Sequence, residues 1–235
     1  MRRTLALAVA AAALSLLIAA SVQAAVLLHV DFEPPAYSPG HVNGQDGWSA
    51  TAGLPHQVVN TIAHGGSQSL NTVRAVKDFS GPFPRNSPNF YLEGYCYTRP
   101  MPGGFSSHFA AANGLGESFS ISLRGDGLVT FTSGGGAEGT TQIMLGAVAI
   151  NKWLRFRIEK VDPLDVKLSL FGDGVDVSWV GGMNSAGDPS FIYVGCNAPA
   201  ALPDDAPFWD DVHAATDAPT PAKRPSWGAV KKKYR

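Results

Sequence analysis

Phe119-Ser120-Ile121-Ser122-Leu123-Arg124-Gly125-Asp126-Gly127-Leu128-Val129-Thr130-Phe131-Thr132 is the stretch whose pattern decides the fold. Large apolar residues take every second position up to Leu123, with serines between them. Side chains of an extended chain point to opposite faces in turn, so this period of two places one face in a core and the other in solvent. The Gly-Asp-Gly step supplies the positive backbone angles of a tight hairpin, and Leu128 to Thr132 continues as a returning strand.

The same pattern recurs along the chain. Val26, Leu28, Val30 and Phe32 alternate with Leu27, His29, Asp31 and Glu33. Leu154, Phe156 and Ile158 alternate with Arg155, Arg157 and Glu159. Val166, Leu168 and Leu170 lead into Gly172-Asp173-Gly174 and a further strand, Val175 to Val180. Apart from the first residues, no segment sustains a helical period. Charged residues are only 16% of 235, beside 26 Gly and 17 Pro, which excludes a coiled coil or a Glu/Lys/Leu-rich bundle. A 45% hydrophobic content also excludes a disordered chain. The expected fold is all-β: an antiparallel two-sheet β-sandwich of the jelly-roll kind, as one domain over residues 25–216.

The two ends differ from this body. Arg2 and Arg3 precede an uncharged run from Thr4 to Ala20 and a small-residue site, Val22-Gln23-Ala24. Residues 1–24 therefore read as a cleaved signal peptide, since the run falls short of a bilayer-spanning helix. A secreted or cell-envelope location follows. Residues 217–235 hold a Pro/Ala linker and a basic tail, Ser226-Trp227-Gly228-Ala229-Val230-Lys231-Lys232-Lys233-Tyr234-Arg235. The tail resembles the W-G-x-x-K-x-x-Y/F-R endings of assorted secreted bacterial proteins, which implies a terminal tag contacting a sorting receptor or an anionic surface. Of 18 basic residues, two lie in the leader and six from Lys223 onward. The part between keeps ten against all 19 acidic residues, a net of −9, so the formal −1 of the whole chain is an average over unlike pieces. An acidic body has nothing to neutralise phosphates, and nucleic-acid binding is excluded for it.

Several motifs occur in a telling order: Asp31-Phe32-Glu33, Asn43-Gly44-Gln45-Asp46-Gly47-Trp48, His64-Gly65-Gly66-Ser67-Gln68-Ser69-Leu70, Trp153-Leu154-Arg155-Phe156-Arg157, and Phe208-Trp209-Asp210-Asp211-Val212. In this order they resemble secreted bacterial domains of the concanavalin A-like lectin/glucanase jelly roll and related carbohydrate-binding modules. The resemblance implies a structural calcium ion joining the first strand to the last. Its ligands would be Glu33, carbonyls around Gly66 and Gln68, and Asp210 or Asp211, a set of hard oxygens suited to Ca²⁺. The loop here reads His-Gly-Gly-Ser and carries no acid of its own.

Catalytic signatures of such relatives are missing. No E-x-D-x-x-E or E-x-D-x-E strand places two carboxylates for glycoside hydrolysis. Gln142-Ile143 is followed by Met144, not His, and neither G-x-S-x-G nor H-E-x-x-H occurs. Ser133-Gly134-Gly135-Gly136 lacks the spacing of a phosphate loop. From Phe90 to Tyr97, Tyr91, Glu93, Tyr95 and Tyr97 share one face, an aromatic and acidic row suited to stacking sugar rings and binding their hydroxyls. Trp48 and Trp179 are further candidates for this surface. The expected function is non-catalytic recognition of a polysaccharide or cell-surface glycan. The alternatives are a structural or adhesive module without a glycan ligand, and a polysaccharide-degrading enzyme assembled from distant loops. Cys96 and Cys196 are the only cysteines, and export permits a disulfide between them.

Overall fold

The computed structural model describes residues 25–50, 56–81, 83, 87, 89–101, 104–145, 151–183, 187–196 and 206–216. The segments expected to be a signal peptide (residues 1–24) and a linker with a basic tail (residues 217–235) lie outside the described residues. Sixteen strands are present among those described. They are β1 (Val26–Val30), β2 (Gly40–His41), β3 (Trp48–Ala50), β4 (His56–Val59), β5 (Ser69–Thr72), β6 (Arg74–Asp78), β7 (Tyr91–Tyr97) and β8 (Ser106–Asn113). β9 (Gly116–Arg124), β10 (Leu128–Ser133), β11 (Gly139–Met144), β12 (Trp153–Lys160), β13 (Asp165–Gly172), β14 (Val175–Gly182), β15 (Phe191–Cys196) and β16 (Phe208–Ala215) follow.

These strands form two antiparallel sheets packed face to face, the β-sandwich that the alternation predicts. The nine-stranded sheet runs β14-β13-β12-β7-β16-β5-β4-β2, with β1 also on β16. The seven-stranded sheet runs β11-β10-β9-β8-β15-β6-β3. Both Gly-Asp-Gly steps are hairpin turns, joining β9 to β10 and β13 to β14.

The core lies where the inward half of each alternation meets. Phe119, Ile121, Phe131, Leu154, Phe156, Ile158, Leu168 and Leu170 are fully buried. Trp209 joins the sheets: its ring stacks on Phe109 at 5.8 Å and meets Phe156 edge-on at 5.1 Å. Burying each large aromatic of this kind stabilises by about 1.5–3 kcal/mol, the dominant favourable contribution in such a sandwich.

β16 positions the rest of the molecule. One of its edges pairs with β7 throughout. Its other edge is shared, with Phe208 and Trp209 pairing with β5 and the half from Val212 onward pairing with β1. The change occurs at an irregularity between Asp210 and His213, where Asp211 takes a positive φ of 48°. This is a β-bulge, which re-aims side chains and ends one pairing so that another can begin.

Candidate functional site

The outward face of the nine-stranded sheet carries the expected row. Tyr91, Glu93, Tyr95 and Tyr97 point away from the core, while Leu92 and Cys96 point into it. Cross-strand partners then determine how much of the row meets solvent. On β12, Arg157 lies opposite Glu93, Arg155 opposite Tyr95 and Trp153 opposite Tyr97. Arg157 donates to Glu93 at 2.9 Å and to Glu159 at 2.8 Å, and Arg155 stands 3.6 Å from Glu93. The guanidinium of Arg157 lies 4.9 Å from the centre of the Tyr91 ring, and that of Arg155 covers Phe171 at 3.9 Å. Tyr91 is only 6% exposed, and burial, then the nearby Glu93 charge, raises its hydroxyl above the ordinary tyrosine value. Tyr95 is roofed by His64, whose ring stacks on it at 3.7 Å. This part of the row is closed by its own neighbours.

The other end is more open, with His64 meeting Trp153 only edge-on at 5.4 Å and the Arg99 guanidinium 5.4 Å from the centre of the Phe208 ring. Trp153 on β12, Tyr97 on β7 and Phe208 on β16 are in register and half-buried, with Asn71 on β5 and exposed Gln57 on β4 continuing the row. Tyr97 meets Trp153 at 5.4 Å and Phe208 at 6.2 Å, both edge-on. Three aromatics and two amides thus cross five adjacent strands. The stretch from Phe90 to Tyr97 identifies only Tyr97. Trp153 and Phe208 belong with it because of pairings between segments far apart in sequence.

Two expected contributors are elsewhere. Trp48 is 1% exposed on the inward side of β3, beside Phe32, with its indole N–H donating to the Tyr37 hydroxyl at 3.0 Å. Trp179 lies opposite Leu168, an inward residue, and packs against the core edge. The parity of each strand turns both rings away from the proposed surface. The disulfide that export would permit is not formed, and both cysteines are free and buried. Cys96 points into the core from the nine-stranded sheet, and Cys196 ends β15 in the other sheet. Burial raises both thiols, Cys196 to about 11, so each stays protonated at neutral pH.

The segments expected to share calcium do converge, through hydrogen bonds. One Glu33 oxygen accepts the amides of Ser67 at 2.6 Å and Gln68 at 2.7 Å, and the other accepts the Ser67 hydroxyl at 2.7 Å. Asp210 accepts the amides of His64 at 2.8 Å, Gly65 at 3.1 Å and Asp211 at 2.8 Å. His64 Nδ1 lies 2.7 Å from Asp211. The loop at residues 64–68 is therefore a concavity of N–H donors, an anion nest filled by the protein's own acids. Gly66 makes this approach feasible: its φ is +65° and a Cβ there would collide with the Glu33 carboxylate. Burial raises the Glu33 carboxyl, and the donors from Ser67 and Gln68 outweigh it, holding the net value below the usual range. In this structure both Glu33 oxygens and both Asp210 oxygens accept hydrogen bonds, and these donors join the three segments.

A second polar cluster lies on the outward face of the seven-stranded sheet. His108 Nδ1 is 2.7 Å from the Ser122 hydroxyl, and its Nε2 is 2.8 Å from Glu117. Burial raises the Glu117 carboxyl, but the His108 hydrogen bond and charge, with help from Ser120 and Arg74, bring it below its ordinary value. An ionised Glu117 only accepts, so a neutral imidazole carries its proton on Nε2 and takes the Ser122 O–H at Nδ1. Tyr193 is 5.1 Å from His108, with Arg74 5.2 Å over the tyrosine ring. A cavity of about 180 Å³ opens beside Glu117, lined also by Asn113, Ser118, Gly134 and Gly135. Sequence motifs missed this cluster because its members come from β8, β9, β15 and β6 without a fixed spacing.

No family model matches the chain, and no curated protein is similar to it in sequence. Solved structures do share its fold. The receptor binding domain of botulinum neurotoxin C/D mosaic serotype superposes with a TM-score of 0.54 at 10% identity, over 89% of this chain and 51% of that one. The receptor binding domain of botulinum neurotoxin D gives 0.55 at 9% identity, over 82% and 49%. The serotype D ligand binding domain in complex with N-acetylneuraminic acid gives 0.53 at 10% identity, over 82% and 47%. The chain spans about half the length of these structures. At such identity the likeness shows the β-sandwich fold alone.

Proposed function

We propose that this protein is an exported, non-catalytic glycan-recognition module of the concanavalin A-like kind. Its ligand docks on the open end of the outward face of the nine-stranded sheet. The carrying observation is the row Trp153–Tyr97–Phe208–Asn71–Gln57, in which aromatic faces stay half-exposed beside amide groups. Sugar rings offer apolar C–H faces to such rings and hydroxyls to such amides. The likeness to a ligand binding domain solved with N-acetylneuraminic acid supports the reading through fold only. The basic tail is read as the contact for a sorting receptor or an anionic surface.

Isothermal titration of the protein against a panel of soluble polysaccharides tests this reading. One or more glycans should bind, and Trp153→Ala should weaken binding at least tenfold, as expected on losing one stacking residue. Tyr95→Ala should matter less, since His64 already occupies that ring. Absence of heat with every glycan would leave the structural or adhesive alternative.

The Ser122–His108–Glu117 relay favours a second, catalytic reading. A hydroxyl whose proton is accepted by an imidazole oriented by a carboxylate has the arrangement of an activated nucleophile. A fluorophosphonate probe should then label the protein at Ser122, and Ser122→Ala should abolish the adduct. An unlabelled protein would reduce the relay to a structural hydrogen-bond chain.

A further inference from the structure

The first and last strands described meet at two histidines. His29 on β1 lies directly opposite His213 on β16, on the outward side of the nine-stranded sheet. Their Nδ1 atoms are 3.0 Å apart. The ring centres are 4.2 Å apart and the planes cross at 71°. The rings meet edge-on and one donates its Nδ1–H to the other; moving that proton to Nε2 leaves both Nδ1 atoms able to ligate one ion.

The same distance suits two ligands of one ion. Imidazole nitrogens bind such ions at about 2.0–2.1 Å, so two of them stand about 2.9 Å apart at the right angle of square-planar Cu²⁺ or Ni²⁺ and about 3.3 Å apart at the tetrahedral angle of zinc. Imidazole is the preferred side chain for copper, nickel and zinc ions, whereas calcium takes oxygen. His29 is exposed, so an ion and its water can reach the pair. Asp31, Asp211 and Glu93 all lie within electrostatic reach of His213 and raise the local cation concentration.

We propose that His29 and His213 chelate a divalent transition-metal ion of the copper, nickel or zinc class, with water completing its shell. Among the described residues no group of three or more His, Cys, Asp or Glu is placed to hold a metal, so this is a two-nitrogen site of moderate affinity. The ion ties β1 to β16 along the half of the last strand whose other edge pairs with β7.

Titration calorimetry and thermal unfolding of the full chain with CuCl₂, NiCl₂, ZnCl₂ and CaCl₂ test the site. One Cu²⁺ per chain should bind more tightly than Ni²⁺ or Zn²⁺, following the usual order of stability for nitrogen sites. Bound metal should raise the Tm by about 2 °C or more. His29→Ala, at an exposed position, should fold normally, lose at least tenfold in affinity and lose the Tm shift. His213→Gln should do the same, while Trp153→Ala should leave metal binding unchanged. Cu²⁺ affinity and Tm shift unaltered in His29→Ala would overturn the proposal, as would the absence of a Tm shift in the parent protein. Loss of glycan binding alone would bear on the aromatic row and leave this site standing.

Discussion

The outward faces of the two sheets use the same alternation for different ends. On the nine-stranded sheet, β7 and β12 present Tyr91, Glu93, Tyr95, Arg155 and Arg157, long side chains that close on one another through ion pairs and ring contacts. On the seven-stranded sheet, β8, β9 and β10 present His108, Ala110, Ser120, Ser122, Thr130 and Thr132, short side chains with the His108 relay as their main polar network. Both sheets bury the same kinds of residue inward. The contrast shows that core positions define a sandwich while the intervening positions are left to specialise, so a shared fold says little about either surface.

Removing the shared acceptor of the arginine ladder should have the largest effect. Glu93→Ala leaves Arg155 and Arg157 without their common carboxylate in a site where the three side chains are 13–28% exposed. A loss of about 3 kcal/mol is expected from the urea midpoint, as for breaking a largely buried pair from one side. The corresponding deletion on the other face, Ser122→Ala, should cost less than about 1 kcal/mol. Equal losses would dissolve the contrast.

The nest above the nine-stranded sheet gives an intermediate effect. Gly66→Ala should destabilise by about 2 kcal/mol, through both its positive φ and the collision with Glu33. Gly44 also has a positive φ, of +85°, but nothing lies within 4 Å of an added Cβ. Gly44→Ala should therefore cost only the backbone strain, about 1 kcal/mol. Chemical denaturation of the two variants side by side separates the collision from the strain.

The smallest effect is a pH dependence on the seven-stranded face. Glu117 is held below its ordinary carboxylate value in the folded protein. Its contribution is thus complete above the unfolded value of about 4.3 and is lost as the pH falls through the lower folded value. Glu117→Gln should cost about 1 kcal/mol at neutral pH, a modest figure because its side chain is 39% exposed. The deficit should shrink below about pH 4.3, as seen by denaturation at a series of pH values. A constant deficit across that range would assign the effect to packing.

Much of the sandwich was legible in local sequence. The hairpins at Gly125-Asp126-Gly127 and Gly172-Asp173-Gly174 need only turn chemistry and alternation, and both are present. The inward and outward sides of β7 follow from the same rule. The surface was harder because it depends on which distant strands become neighbours. Tyr97 acquires Trp153 and Phe208 as partners from 56 and 111 residues away in the chain, and nothing local to any of them encodes that meeting. Trp48 was misassigned for a related reason: on a three-residue strand, alternation is too brief to show that the ring faces inward. The motifs around Glu33, His64 and Asp210 did identify three segments that meet, but the chemistry joining them differs, since a peptide can turn either its carbonyl or its N–H toward an acid.

β16 also sets an order of events. In the nine-stranded sheet it lies between β7, which leads to β12, β13 and β14, and β5, which leads to β4 and β2. Until residues 208–215 are available, these are two separate half-sheets with raw edges, and β1 has no partner strand among those described. A chain leaving the ribosome from its N-terminus cannot close this sheet until its last strand has emerged. Joining the two halves of this sheet therefore waits on the last strand described, and until then most of the sheet's long-range pairings are incomplete.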